Sequence, residues 1–119
     1  MDIYKGEKAG KFTTYIYDED GETKIDPTTL EDVIIWLYMD YTNELVNVYS
    51  ISGNQIAREG NTYNTTTLTV NGNDLEFYID AEYTQELSPG QIIFQLDEVN
   101  NGEVQEKYTS VLATLKDAK

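Results

Sequence analysis

Carboxylates are the side chains this sequence offers for chemistry in greatest number: twenty-two Asp and Glu stand against eight Lys and Arg, with no histidine and no cysteine. The two absences remove the commonest general base, the commonest transition-metal ligand and the thiolate nucleophile. What survives is hydrolysis by paired carboxylates, in which one acid protonates a leaving oxygen and its partner serves as base or nucleophile. Among twenty-two acids a close pair arises by chance, so a pair alone carries no information. No phosphate-binding glycine loop, dinucleotide fingerprint or G-x-S-x-G elbow stands beside the acids. No catalytic residue is assigned, and an enzyme is not expected.

The densest oxygen cluster is Asp18-Glu19-Asp20-Gly21. An EF-hand calcium loop needs ligands at several set positions and a Glu at the twelfth, and the twelfth residue from Asp18 is Thr29. The tetrad therefore reads as a turn, which Asp favours by side-chain capping and Gly by its tolerance of positive φ. No metal ligand and no cofactor are expected.

Binding chemistry is better supplied. Ten of the 119 residues are tyrosine. Tyr fits a pleated, half-buried surface, and it also gives large contact area at low entropy cost in protein interfaces. Residues 33–39, VIIWLYM, are apolar on both sides of an extended chain: Val33, Ile35, Leu37 and Met39 on one face, Ile34, Trp36 and Tyr38 on the other. Such a strand needs both faces covered. A sheet packed on one core covers one; the other falls to a loop, to the N-terminal arm or to another subunit. Ile34, Trp36 and Tyr38, with Ile3 and Tyr4 as the apolar anchors of the arm, are the candidate protein interface. A second candidate surface, for a glycan or receptor, lies in the long weakly periodic stretch 52–64, where Arg58, Asn61 and Tyr63 combine a charge, an amide and an aromatic ring.

The elements that must hold these residues read as strands. In 65–70, Thr66, Leu68 and Val70 alternate with threonines; after Asn71-Gly72, Leu75, Phe77 and Ile79 alternate with Glu76, Tyr78 and Asp80. Asn-Gly between two such runs predicts a hairpin. A polar helical turn or wide loop at 81–87 and Ser88-Pro89-Gly90 lead into Ile92, Phe94 and Leu96. Phe12, Thr14 and Ile16 form an early strand, 45–51 another, and 104–115 the last; 97–102 is a polar turn ending in Asn101-Gly102. Asp26-Pro27 caps one helical turn. Residues 1–10 lack periodicity and are a frayed start or an arm that orders on a partner. About seven strands, with turns every eight to twelve residues, predict one all-β domain over 1–119. Its expected form is a two-sheet antiparallel β-sandwich, Ig-like or jelly-roll-like.

A formal charge of −14 disfavours nucleic acid and anionic membranes as partners. Mimicry of nucleic acid by an acidic inhibitor is the sharper alternative to solubility. The N-terminus has no basic segment followed by an apolar run, so no signal peptide is expected, and no apolar run reaches membrane-spanning length.

Four motifs carry a family likeness: Asp18 to Gly21 as D-x-D-G, 30–38 as L-x-D-V-x-I-x-L-Y, 72–79 as G-N-x-L-x-F-x-I, and 84–96 as T-x-x-L-x-P-G-x-I-x-F-x-L. Together they resemble the N-terminal β-sandwich domain of phage upper-baseplate proteins and related small virion proteins of tailed phages. That resemblance implies a non-enzymatic structural protein, an adaptor or decoration subunit of head, neck, baseplate or fibre. It would be synthesised in the host cytoplasm and contact other virion proteins or its own copies in a trimer or ring. Pairing of an edge strand or of the N-terminal arm with a neighbour would supplement side-chain contacts.

Overall fold

The computed structural model describes residues 1–119. The protein is all-β. Its strands are β1 (Asp2–Tyr4), β2 (Ala9–Thr14), β3 (Asp32–Met39), β4 (Leu45–Ser50), β5 (Ile56–Arg58), β6 (Asn61–Tyr63), β7 (Thr66–Thr67), β8 (Thr69–Asn71), β9 (Asp74–Ile79), β10 (Gly90–Asn100) and β11 (Glu103–Lys116). A 3-10 turn at Pro27–Thr29 and one α-turn, α1 (Ala81–Thr84), are the only helical pieces. Six strands form one sheet in the order β1-β11-β10-β3-β4-β7; β2-β9-β8 form a second and β5-β6 a third.

Strand β3 sits inside the large sheet, between β10 and β4. One side of it, Val33, Ile35, Leu37 and Met39, enters a core cluster of nineteen buried residues. The smaller sheet supplies Phe12, Leu75, Phe77 and Ile79 to the same cluster, and β10 supplies Ile92, Phe94 and Leu96. Removing each such side chain from water is worth about 1.5–3 kcal/mol. Tyr49 lies within this core, and its hydroxyl donates to the Tyr78 carbonyl at 2.6 Å. Burial pushes the Tyr49 phenol well above its ordinary value.

Several boundaries differ from those the sequence predicts, each for a traceable reason. Residues 2–4 are a strand rather than an arm, because Ile3 is buried opposite Leu115 in a parallel pairing with β11. The first long strand ends at Thr14; beyond it Tyr17 makes only an isolated bridge to Lys24. The run 65–70 is not one strand. Its first part, β7, pairs parallel with β4, and its last part, β8, pairs antiparallel with β9. The chain changes sheets at Leu68, which is buried in the core while its N–H donates to the Ser50 carbonyl at 2.8 Å. Asp97 to Asn100 continue β10 instead of turning, since Asp97 finds donors in the sheet and Val99 packs beside Ile34 and Trp36. There are eleven strands in place of about seven, and two of the pairings are parallel.

The turns follow the sequence closely. Asn101-Gly102 joins β10 to β11 with both residues at positive φ, the type I′ pattern of a two-residue hairpin. Between β8 and β9 the two-residue loop is Gly72-Asn73, with positive φ on Gly72 alone, the position a type II′ turn reserves for glycine. At the Asp18-Gly21 turn, Asp20 accepts from the Thr23 hydroxyl and from the N–H groups of Glu22 and Thr23. Those bonds, the Thr23 hydroxyl first, hold its carboxyl below the ordinary range.

The change of sheets at Leu68 yields a stability test. Leu68→Ala should cost about 2–5 kcal/mol in urea unfolding, as buried large-to-small changes do. Thr69→Ala, one residue on and exposed, should stay within about 0.5 kcal/mol of the wild type. Equal effects would show that the crossing is not anchored by Leu68.

Candidate functional site

The second face of β3 is covered by the chain itself. Ile34, Trp36 and Val48 form a separate buried cluster, with Tyr38, Ile56, Tyr63 and Val99 packed against it. Ile56 and Tyr63 belong to the β5–β6 hairpin, which lies across the outer face of the six-stranded sheet. The hairpin turns at Glu59-Gly60, both at positive φ, so a non-glycine residue occupies a left-handed position at its tip.

Polar bonds fasten the two legs where they leave the sheet. Ser50 Oγ accepts from Gly53 N and lies 2.7 Å from Thr65 Oγ1, which donates to the Asn54 carbonyl. Asp32 accepts from Ile51 N, Ser52 N and the Ser52 hydroxyl. Gly53 stands at φ 72, and a Cβ there would lie 2.5 Å from Thr67 Oγ1, so only glycine lets the first leg pass this close to β7.

Under the hairpin, Trp36 is 4% exposed. The Tyr63 ring meets it edge-on at 5.1 Å, and the Arg58 guanidinium lies 4.6 Å from its centroid. Its indole N–H donates to Asp97 at 3.1 Å, and Gln95 donates to the other carboxylate oxygen at 2.9 Å. Every group that a buried indole and a buried carboxylate need is therefore present within the chain.

The residues singled out from sequence fall into three groups. Trp36, Tyr38, Arg58 and Tyr63 come together, and with Asn43, Leu45, Glu59 and Gln95 they line a cavity of about 380 Å³ beside the hairpin. Ile34 is buried beneath the hairpin, and Asn61 is exposed opposite Arg58 at its turn. Ile3 and Tyr4 are remote from this face by topology, on β1 at the far edge of the sheet; Ile3 is core, and Tyr4 is half-buried with the Lys119 ammonium 4.4 Å from its ring.

Beyond the hairpin the same outer face carries an apolar row that the sequence alone did not reveal. Cross-strand register places Val111 opposite Ile93, Ile93 opposite Tyr38 and Tyr38 opposite Leu45, so four adjacent strands contribute one residue each. Directly paired residues share a face. Val111 is 53% exposed, Leu45 39% and Tyr38 partly; Tyr41, at the tip of the β3–β4 turn beside them, is 98% exposed. The signal was in the sequence as isolated apolar positions, but their alignment depends on register shifts between Ile92 and Ile93 and between Leu37 and Tyr38.

A different, half-buried tyrosine group lies between β11 and the 14–17 segment. The Tyr108 hydroxyl accepts from Tyr17 N at 3.0 Å, and the Tyr17 hydroxyl lies 3.3 Å from that of Tyr15. The bond to Tyr15 raises the Tyr17 phenol above its ordinary value. These rings line an open cavity of about 500 Å³ between the large sheet and the 14–17 segment.

Because Trp36 is the sole tryptophan, its emission reports the hairpin directly. Arg58→Ala should shift the emission to the red and raise acrylamide quenching, while unfolding free energy falls by only about 0.5–1 kcal/mol, the worth of an exposed cation–π contact. An unchanged spectrum would show that Arg58 does not shield the ring.

No protein-family model matches the chain, and no curated protein matches it.

Proposed function

We propose that this chain is a non-enzymatic structural protein that docks against neighbouring proteins through the outer face of its six-stranded sheet. The observation that carries this is the row Val111, Ile93, Tyr38 and Leu45, with Tyr41 beside it. A contiguous apolar strip containing tyrosine, partly open to water, is what interface centres are made of. Of the three β3 residues expected to form the interface, Ile34 and Trp36 are buried under the hairpin and Tyr38 alone stays partly exposed; Leu45, Tyr41 and Val111 join it. The neighbours, on the resemblance to small virion proteins of tailed phages, are other virion proteins, with the chain an adaptor or decoration subunit of the particle. We read the architecture as a two-sheet β-sandwich of Ig-like or jelly-roll type; the support is that the six-stranded and three-stranded sheets contribute to one core cluster.

A carbohydrate- or receptor-binding module is the second reading, favoured by the cavity that brings Arg58, Tyr63 and Asn43 together. Against it, one face of Trp36 is taken by Arg58 and its edge-on neighbour is Tyr63, so no free ring platform is offered there. Glycan binding abolished by Tyr63→Ala would select this reading.

The test of docking is incorporation into purified phage particles. A Tyr41→Ala, Leu45→Glu variant should fold like the wild type by circular dichroism yet be incorporated about tenfold less or worse, as loss of central contact side chains predicts. Equal incorporation of variant and wild type, or absence of the wild type from particles, would overturn the proposal.

A further inference from the structure

Strand β11 is fourteen residues long and is paired with β10 from Glu103 to Leu115, with breaks at Lys107 and Leu112. On its other side only β1 is paired, over Thr114 to Lys116. Met1 and Lys5 extend that contact, through Thr114 N to the Met1 carbonyl and Lys5 N to the Lys116 carbonyl. From 103 to 113 no strand pairs with this side, and no other backbone hydrogen bond is made there. The opposite border of the sheet is different in kind, since its terminal strand, β7, has two residues.

A long open edge presents alternating N–H and C=O groups to any extended chain, and proteins normally shield it with proline, a covering loop or a very short strand. Along 103–113 the two register shifts and the charges of Glu103, Glu106 and Lys107 act against self-pairing, but no proline, short strand or backbone hydrogen bond closes the edge. The sequence there, EVQEKYTSVLA, is rich in strand formers and contains no proline. The pairing with β10 shifts register at two places, leaving two regular runs at 103–106 and 108–111. Each keeps regular pairing on its β10 side and leaves the backbone groups of its other side unpaired.

Charge restricts what can fill it. Glu103 and Glu106 have no basic partner, the single Lys of the segment, Lys107, is drawn toward Glu98 at 3.9 Å, and Glu31 lies at the adjoining turn, accepting from Gly102 N. A second copy of the chain would bring its own charge of −14 against this edge. We infer, on the reading of the chain as a docking protein, that the free edge of β11 takes an extended, lysine- or arginine-bearing segment of a partner protein as an added strand. Like-charge opposition across a strand pair is unfavourable and opposite charge favourable, so the edge selects for basic residues at the positions facing Glu103 and Glu106. The incoming strand occupies 103–111 and stops short of β1, which already holds the end of the edge.

The experiment is amide hydrogen exchange of the full chain, followed by NMR. The probe is a synthetic peptide of valine and threonine, about nine residues long at ~3.3 Å per residue, with lysines three positions apart to face Glu103 and Glu106, which lie on opposite faces of β11. The outward amides of 103–111 are expected to exchange about tenfold more slowly or better when the peptide is saturating. A peptide with glutamate in place of lysine should bind about tenfold more weakly. The lysine peptide N-methylated at alternate residues should give no protection, because it cannot complete the ladder. In the exposed pair Glu103→Lys, Glu106→Lys the preference for lysine over glutamate should vanish. No slowing in the wild type, equal slowing by the glutamate or N-methylated peptide, or slowing that follows protein concentration without peptide would each overturn the inference; the last would assign the edge to a second copy. Failure here leaves docking through the Tyr38–Leu45 row untouched, because that is read from particle incorporation of variants on other strands.

Discussion

Strand β3 buries Val33, Ile35, Leu37 and Met39 on one side and Ile34 and Trp36 on the other, and the remainder of the fold is arranged to cover it twice. The inner side is met by the three-stranded sheet, with Phe77 at the centre of stacked contacts to Phe12 and Phe94. The outer side is met by a hairpin of two three-residue strands. A hairpin that small is not stable alone. It holds because Trp36 gives it something to close on and because serine, threonine and Asp32 side chains bind its legs to the ends of β3 and β4. Cover and covered therefore depend on each other.

The coverage is also incomplete, and this is what gives the outer face its character. The hairpin spans the rows that contain Ile34 and Trp36, whereas the row through Ile93 and Tyr38 lies beyond it. Extending the hairpin over that row would have required longer strands; instead the face remains partly apolar at the end carrying Tyr41 and Leu45. Polar chemistry beneath the cover is confined to Asp97 and Gln95, which are matched to the indole and to each other. The molecule's many carboxylates stand mainly in turns and on exposed strand positions.

Much of this was legible in the sequence, where local periodicity and turn chemistry decide the outcome. The two-faced strand 33–39, the alternation of 75–79, the glycine turns at Gly72 and Gly102, the helical turn after Asp80 and the proline turn at Pro27 all follow from residues that are neighbours in the chain. The rest depends on distant partners. The short strand within the 52–64 stretch, at 55–58, was legible and is β5, whereas Asp2–Tyr4 carries no measurable period and becomes a strand because Leu115 is there to receive it. Asp97 has the composition of a turn, but its carboxylate serves an indole sixty-one residues away. Leu68 looks like one more apolar position in an alternating run, yet it is where the chain passes from one sheet to the other. The candidate site was legible in two halves, the aromatic strand and the Arg58 to Tyr63 stretch, while their contact required the hairpin.

The parallel seating of β1 on β11 has a consequence for how this molecule comes into being. Asp2 pairs with Thr114, so β1, the earliest strand of the fold, has its place on β11, the latest. Ile3 has no seat until Leu115 is in place, so the large sheet closes through residues from opposite ends of the fold. Non-local closures of this kind are slow because the loop entropy is spent before the contact is made. They also leave both chain ends at one corner of the sheet, the Lys119 ammonium beside the Tyr4 ring. A short peptide could join them there, and the covalent order of the strands could be rewritten by opening the chain elsewhere without moving any strand from its place.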